Sequence, residues 1–300
     1  METDSIHSNF FNHKSVMTDE IVDSISNCPE ISSKRFTGID ATLGGGGHSF
    51  HLLRKYPHLN IIGIDQDPFA RKASATNLNE FKDRVSIKAI NFANFKPQQK
   101  VSFIIADLGV NSHQIDYGER GFSFQKDGPL DMRMNPSSKI SANDLIQNLS
   151  EKELANLIYE YGDERNSRRI AWRIKKDIKE IGPYKSTKDL AYSIAGCFAP
   201  KHRYKRIHPA TRTFQALRIA VNNEMEVLEN FLNISPSWLL NGGIISIISF
   251  HSKEDRKVKD HFKNDNRLIN LTKKPLIPSS IEVQNNNRSR SAKMRIAKLT

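Results

Sequence analysis

Short apolar runs alternate with helical patterns between residues 35 and 110. Four of these runs predict strands, at residues 35–42, 60–65, 84–90 and 101–108. A helix is predicted from about His48, and Pro68 suits the first position of another, because the N–H that proline lacks would have no helical partner there. Strands and helices alternating in this way predict a parallel sheet with right-handed crossovers.

The pattern changes beyond residue 110. Residues 111–136 are rich in Gly, Pro and charge and lack periodicity, which predicts an ordered functional loop or a domain boundary. From residue 141 to about 197 the pattern is helical, and Ser150 and Glu153 match a capping box. A second helix in this stretch is predicted by a stripe of Ile170, Ile174, Ile178 and Ile181. Gly182 ends it, and a third helix fits residues 187–198.

Sheet signals return near residue 240. Before it, a single long helix is predicted by the spacing of Phe214, Leu217, Val221, Met225, Leu228 and Leu232. Asn241-Gly242-Gly243 predicts a turn, and residues 244–250 a buried strand. We therefore expect an α/β domain of residues 1–114 and 208–300, with an inserted loop and all-helical block at 115–207.

Composition narrows the class of protein. A chain of 300 residues with 38% apolar residues is long enough for two domains or one long α/β domain. The longest apolar run, residues 244–250, is far shorter than a membrane span, and the first 34 residues predict neither a secretory signal nor a transit peptide. Two cysteines are too few for a disulfide framework or a zinc ribbon. We expect a cytoplasmic protein with no membrane partner.

The charge balance favours a polyanionic partner. The formal net charge is +12. Residues 201–223 and 285–300 contain several Lys and Arg and no acid, which indicates nucleic-acid contact or simply solvated basic faces. The arginines that we expect to hold nucleic-acid phosphates are Arg203, Arg206, Arg212, Arg218, Arg288 and Arg290.

Four consecutive glycines, residues 44–47, follow the first predicted strand and precede a helix. Without side chains the backbone can approach a ligand closely, and open α/β sheets bind ligands at this end of their strands; the alternative is a merely flexible turn. A dinucleotide fingerprint would need glycine where Ser49 stands, and Asp40 would repel a pyrophosphate. S-adenosylmethionine has no phosphate, and a carboxylate favours its cationic groups.

Acids end two other predicted strands. Asp65 lies 21 residues after Gly44, where it can accept hydrogen bonds from both hydroxyls of a ribose, or be a simple turn residue. Asp107 and Asn111 follow the fourth strand, and an enzyme that methylates an exocyclic amine needs an acceptor there; the alternative is an Asx-turn. Phe92 follows the third strand, and its ring suits either contact with adenine or packing in the core. The histidines show no metal-ligand spacing, so we expect no metal.

Six segments resemble one family. The N-terminal ones are Asp40-Ala-Thr-Leu-Gly-Gly-Gly-Gly-His-Ser49, Asp107-Leu-Gly-Val110 and Glu119-Arg-Gly-Phe-Ser-Phe124 running into Asp127-Gly-Pro-Leu-Asp-Met-Arg-Met134. The others are His208-Pro-Ala-Thr-Arg-Thr-Phe-Gln-Ala-Leu-Arg218, Ser246-Ile-Ile-Ser-Phe-His-Ser252 and Arg288-Ser-Arg-Ser-Ala-Lys-Met-Arg295. Together they resemble the MraW-type methyltransferase H family of small-subunit ribosomal RNA, from about His13 to the last residues.

The resemblance implies a Rossmann-like class I methyltransferase fold with a helical substrate-recognition insert. It implies that the N4 amine of a cytosine in 16S ribosomal RNA, in the decoding region of the small subunit, is methylated. The residues implied to contact S-adenosyl-L-methionine are Gly46, Gly47, His48, Asp65, Phe92, Asp107 and Gln114. Asn111 departs from the family, which usually has Ser there, and this bears on substrate geometry.

Two other functions are alternatives to methyl transfer. A nicotinamide-dependent oxidoreductase is disfavoured by Ser49 and Asp40 and by the lack of an acid suited to hydride transfer. A non-catalytic RNA-binding or ribosome-assembly factor with a retained nucleoside pocket is disfavoured by the intact set of glycines and acids.

Overall fold

The computed structural model describes residues 15–26, 28–200 and 208–300. Contacts divide the chain into two compact units, Met1–Gly109 with Met225–Thr300, and Val110–Glu224. The first unit is therefore discontinuous in sequence and the second is inserted into it. The boundaries expected from the sequence, at 114/115 and 207/208, remain a prediction about the domains.

The first unit contains a seven-stranded sheet. Its strands are β1 (Phe36–Asp40), β2 (Leu59–Ile64), β3 (Val85–Lys88), β4 (Val101–Asp107), β5 (Leu239–Ser249), β6 (Leu268–Asn270) and β7 (Lys293–Leu299). They lie in the order β3-β2-β1-β4-β5-β7-β6. Neighbours from β3 to β5 are parallel, and β7 runs antiparallel to both β5 and β6. The predicted α/β class and its four N-terminal strands are confirmed.

Twelve α-helices lie within the described residues. They are α1 (Thr18–Ser24), α2 (Gly47–Lys55), α3 (Pro68–Asn77), α4 (Ser112–Asp116), α5 (Ala142–Asn148), α6 (Glu151–Gly162), α7 (Ser167–Ile181), α8 (Thr187–Gly196), α9 (Thr211–Val221), α10 (Glu224–Ile234), α11 (Ser252–Asn264) and α12 (Ser280–Asn285). Helices α4 to α9 belong to the inserted unit, and α10 begins at its last residue.

The sheet is buried on both faces because its central strands are apolar at successive positions. On β4, Phe103 and Ile105 belong to one apolar cluster, and Ile104 and Ala106 belong to the other. A Cβ at Gly38, which pairs with Phe103, would lie 2.0 Å from the phenylalanine ring. Continuous apolar strands covered by helices are typical of parallel sheets.

The inserted unit has its own core, formed by apolar residues of its helices. Capping boxes start two of them: Ser141 with Asp144 begins α5, and Ser150 with Glu153 begins α6, as the sequence predicts. Helices α6 and α9 approach closely at Gly162, where a Cβ would lie 2.5 Å from the carbonyl oxygen of Arg212.

The prediction of a single long helix before residue 240 is wrong. Helix α9 ends at Val221, Asn223 has φ +50°, and α10 begins at Glu224. The Asn222 side chain explains the break, because it forms hydrogen bonds with the backbone of an earlier segment. Its Oδ1 accepts from the N–H of Met134 at 2.7 Å, and its Nδ2 donates to the carbonyl of Met132 at 2.8 Å. The helical spacing of apolar residues continues through the break, so the sequence pattern did not indicate it.

Two further predictions are corrected. Residues 241–243 form no turn between elements but lie inside β5, where the register against β4 shifts and Gly242 has φ +78°. Extra residues in one strand of a pair are accommodated as a bulge. On α7, Ile170 and Ile174 are fully buried, whereas Ile181 at the helix end is 81% exposed. In the described part of the chain, no helix has the length and apolar character needed to cross a membrane.

Candidate active site

The candidate site lies where β1, β2 and β4 end. From β1 the chain proceeds to β2 and β3 on one side, and β4 starts the other half of the sheet. Parallel sheets bind ligands at the carboxyl edge beside such a change of direction. The glycine run, Asp65 and Asp107 follow these three neighbouring strands, so the structure brings together the principal groups predicted from the sequence.

The glycine run forms a tight connection between β1 and α2. The N–H of Leu43 donates to the carbonyl of Ile64 at 2.9 Å, and Gly46, with φ +82°, caps α2. A Cβ at Gly46 would approach Leu78 Cδ1 to 2.9 Å, so both conformation and space require glycine. Helix α2 begins at Gly47, and the N–H groups of a first turn have no partner within their own helix, which suits a carboxylate.

The segment before α1 covers the start of α2. A Cβ at Gly47 would lie 2.0 Å from Ser15 Oγ, and the carbonyl of Val16 lies 2.8 Å from His48 Nε2. Because a carbonyl oxygen only accepts, His48 donates through Nε2. The imidazole thus fixes this segment, and contact of His48 with a cofactor remains a prediction.

Asp65 is held in one orientation by backbone donors. Its Oδ2 accepts from the N–H of Gly44 at 2.9 Å, and its Oδ1 accepts from the N–H of Asp67 at 2.8 Å. Burial nevertheless raises the pKa of Asp65 to about 6. A carboxylate has about four lone-pair positions, so each oxygen can accept one further bond, as two neighbouring ribose hydroxyls would require.

Asp107 is partly buried at the end of β4. Its N–H donates to Thr42 Oγ1 at 2.6 Å, which ties β4 to the connection after β1. Its Oδ1 has no hydrogen-bond partner among the described residues. Burial raises the pKa of Asp107 to about 7; the proximity of His48 lowers it, and the acids Asp40 and Glu254 raise it. An unpartnered buried acceptor is costly unless a ligand satisfies it.

Asp40 adds a third acid, which is buried. Its Oδ2 accepts from Ser49 Oγ at 2.7 Å, and burial raises its pKa. Sequence reasoning used Asp40 only to argue against a phosphate and assigned no role to Thr42 or Ser49. Three carboxyl groups around the glycine run, one buried and two partly buried, fit a cofactor that carries positive charge, and they do not fit a pyrophosphate.

Phe92 opens a short 3₁₀ helix after β3, which is capped by Asn91. Its ring centroid lies 4.9 Å from that of Phe231, at an interplanar angle of 68°, so one edge packs against the core of the first unit. The side chain is only partly buried. Contact of this ring with adenine remains a prediction.

Asn111 and Gln114 lie in the inserted unit, where they bond to each other. The N–H of Asn111 donates to Gln114 Oε1 at 3.1 Å, and the N–H of Gln114 donates to Asn111 Oδ1 at 2.9 Å. This reciprocal pattern caps the start of α4, as in a capping box. Both side chains therefore have a local structural role beside the functional one predicted for them.

The predicted RNA contacts differ in accessibility. Arg218 is 16% exposed and donates from Nε and Nη2 to the two carboxylate oxygens of Glu224, both at 2.9 Å, and its contact with RNA remains a prediction. Arg212 is 54% exposed. Arg288 and Arg290 lie in a 3₁₀ helix before β7, with Arg288 half-buried and Arg290 exposed. Arg203 and Arg206 lie outside the described residues.

The sheet and the charge of the site define the class of protein. A mostly parallel sheet with a glycine run after its first strand is a Rossmann-like arrangement, and the acidic glycine-run site suits a cationic methyl donor. Within that class the chain belongs to the MraW methylase family, whose sequence model matches residues 10–300. Its cofactor is S-adenosyl-L-methionine, as the resemblance implies.

Relatives match along the whole chain. Proteins of Prochlorococcus marinus strains MIT 9215 and MIT 9312 are 69% and 68% identical over 299 residues, covering 100% of both chains in each case. The protein of strain NATL1A is 55% identical over 287 residues, covering 96% of this chain and 94% of that one. All three are called ribosomal RNA small subunit methyltransferase H.

Proposed function

We propose that this protein methylates the exocyclic N4 amine of a cytosine in 16S ribosomal RNA, in the decoding region of the small subunit. The names of its relatives support an RNA of the small subunit as substrate. The observation that carries the chemistry is Asp107, whose buried Oδ1 has no partner among the described residues. A carboxylate there can accept a hydrogen bond from an amine.

The first unit would hold the cofactor through groups of opposite chemistry. The N–H groups at the start of α2 are suited to the carboxylate of its methionine part, and Asp65 to its ribose hydroxyls. We propose further contacts by Gly46, Gly47 and His48 and by Phe92 and Gln114. When bound, S-adenosylmethionine supplies an activated methyl group on a cationic sulfonium.

Asp107 would act by position and charge. An amine that is gaining a methyl group develops positive charge and must finally lose a proton, and a fixed carboxylate stabilises that charge and orients the lone pair. Asp107 is fixed because Thr42 holds its backbone and the rest of β4, on which it lies, is buried. A role for Asn111 as a second acceptor is part of the proposal.

RNA would be held by exposed arginines. Arg212 and Arg290 are exposed, and Arg288 is half-buried beside Arg290. Arginine binds phosphate through several donors, and such contacts give salt-dependent affinity. Arg203 and Arg206 remain predictions from the charge run. A cytosine within a helix would have to leave its stack, which costs a few kcal/mol. The cytoplasm is the expected location for such a substrate.

Mapping modified nucleotides tests the function directly. Small-subunit RNA from cells with and without this protein would be digested and analysed by mass. We expect one cytosine to lose a methyl group on N4 in cells without the protein, and purified protein to restore it on small subunits in the presence of S-adenosylmethionine. The same methylation of small-subunit RNA with and without the protein would refute the proposed substrate. RNA binding without methyl transfer would favour the assembly-factor alternative.

A further inference from the structure

One side of α7 carries basic residues around a tryptophan. At 100° per residue, five exposed residues fall within an arc of about 100° on this side of the helix: Arg168, Arg169, Trp172, Lys176 and Lys179. We call them the α7 basic face. The exposed Glu180 and Arg173 lie at the edge of this arc. The opposite side, with Ile170, Ala171 and Ile174, is fully buried in the core of the inserted unit. The basic face is therefore fixed by the packing of the helix.

The cations of this face are largely without acidic partners. Among the described residues, the side chains of Arg168, Arg169 and Lys179 form no ion pair or hydrogen bond. The neighbouring Arg173, by contrast, is paired with Asp177 at 2.8 Å. Lys176 has only a 4.0 Å contact with Glu180, and surface pairs of this kind contribute little. Like charges one turn apart repel, so a polyanion on this face relieves repulsion that the isolated protein retains.

The tryptophan gives the face a second kind of contact. Trp172 is 48% exposed, and Lys176 Nζ lies 5.2 Å from its ring centroid. Exposed aromatic rings among cations are how proteins bind single-stranded nucleic acid, because a base stacks on the ring while cations contact the phosphates. Apart from Trp172 and the terminal Ile181, the apolar residues of α7 lie in or against the core, so the helix has no continuous apolar face with which to enter a membrane.

We infer that the α7 basic face binds single-stranded ribosomal RNA, with Arg168, Arg169 and Lys179 on phosphates and Trp172 stacked on an unpaired base. This rests on the proposed function, which supplies the RNA. It adds a contact surface in the inserted unit that lies outside both basic runs of the sequence.

Binding of purified small subunits, measured by filter retention at several KCl concentrations, tests the phosphate contacts. Each lost phosphate contact reduces the log–log salt slope by about 0.7–0.9, so R168Q/R169Q lowers its magnitude by about 1.4–1.8. The matched control is K82Q/K263Q, which removes two exposed lysines of the first unit and leaves the slope unchanged. Equal slopes for R168Q/R169Q and wild type overturn the inference.

Tryptophan fluorescence tests the stacking. The chain has two tryptophans, and Trp238 is only 4% exposed, so quenching by an oligocytidylate 12-mer reports Trp172. We expect W172A to lose the quench and to bind small subunits about 5- to 100-fold more weakly, whereas W172F loses the quench but keeps most of the affinity. The control Y192A removes another exposed ring, 84% accessible, without effect. Wild-type affinity of W172A contradicts the inference, even if an acidic protein proves to bind the face.

Methyl transfer separates this inference from the function on which it rests. We expect R168Q/R169Q and W172A to raise KM for small subunits and to leave cofactor affinity unchanged, because they lie far in sequence from the glycine run. If wild-type protein methylates small subunits and the variants match it in KM and salt slope, the inference alone fails. If wild-type protein neither binds nor methylates them, the proposed function fails and the inference with it.

Discussion

The backbone N–H of Gly44 donates a hydrogen bond of 2.9 Å to Oδ2 of Asp65. The second carboxylate oxygen accepts from Asp67 at 2.8 Å, so neither oxygen is free to rotate away from the edge of the sheet. The glycine run and the acid that follows β2 are thus joined directly. A ribose would meet an acceptor that is already oriented, which lowers the entropic cost of binding.

Replacing Asp65 should weaken cofactor binding. Asp65→Ala removes the acceptor for the ribose and the partner of Gly44, and we expect a loss of about 1.5–3 kcal/mol in the binding free energy of S-adenosylmethionine. Titration calorimetry measures this. Asp83→Ala, which removes an exposed acid, should bind like wild type. Unchanged affinity in Asp65→Ala would exclude Asp65 from the cofactor site.

Cofactor binding should depend on pH through Asp107. Burial raises its pKa to about 7, so in the free protein the acid is mostly protonated at pH 6 and mostly charged at pH 8. A cationic ligand prefers the charged form and lowers this pKa. Affinity should therefore rise with pH across this range, with release of protons on binding.

Calorimetry in buffers of different ionisation enthalpy counts those protons. Asp107→Asn cannot titrate and serves as the reference, because any titration of the ligand itself persists in it. The pH dependence of wild type should exceed that of Asp107→Asn. Identical dependence in both would show that Asp107 does not change its charge on binding.

The same variant tests the chemical step. Asp107→Asn keeps a hydrogen-bond acceptor and the shape of the side chain but removes the charge, so we expect methyl transfer to slow by ~10²–10³. Single-turnover measurements at saturating cofactor and RNA isolate that step from binding. Transfer at the wild-type rate would leave Asp107 as a cofactor ligand only, and the amine acceptor would then have to be Asn111 or a backbone carbonyl.

Arg288 and Arg290 should contribute to RNA affinity and not to cofactor affinity. Their joint replacement by Ala should lower the magnitude of the salt slope by about 0.7 per lost contact and leave cofactor affinity unchanged. Half-burial of Arg288 gives it a structural role as well, so thermal unfolding of the variant should be measured beside RNA binding. A slope equal to that of wild type would place the RNA elsewhere.

Strand ends were the part of the site best predicted from the sequence. Asp65 and Asp107 each close a run of apolar residues, and a buried parallel strand is recognised by such a run. Since parallel strands end at one edge, their last residues meet. The glycine run was predicted for the same reason.

Contacts between distant parts of the chain could not be predicted in this way. The bond from Asp107 to Thr42 and the one from His48 to Val16 depend on side-chain positions that no local pattern encodes. The ion pair between Arg218 and Glu224 could not be predicted either, because Glu224 lies just beyond a basic run that contains no acid. The α7 basic face could not be recognised from the sequence, because its cations alternate with core residues along the chain. They come together only through their angular positions around the helix.

The insertion of the helical unit between neighbouring strands bears on the order of folding. Strands β4 and β5 pair side by side although about 130 residues separate them along the chain. The helices of the insert are adjacent in sequence and have a core of their own, so their contacts are mostly local and form fast. We expect the insert to fold first, which shortens the flexible loop that must close before β5 can join β4. A destabilising mutation in the insert would then slow the pairing of β5 with β4, although the mutated residue lies outside the sheet.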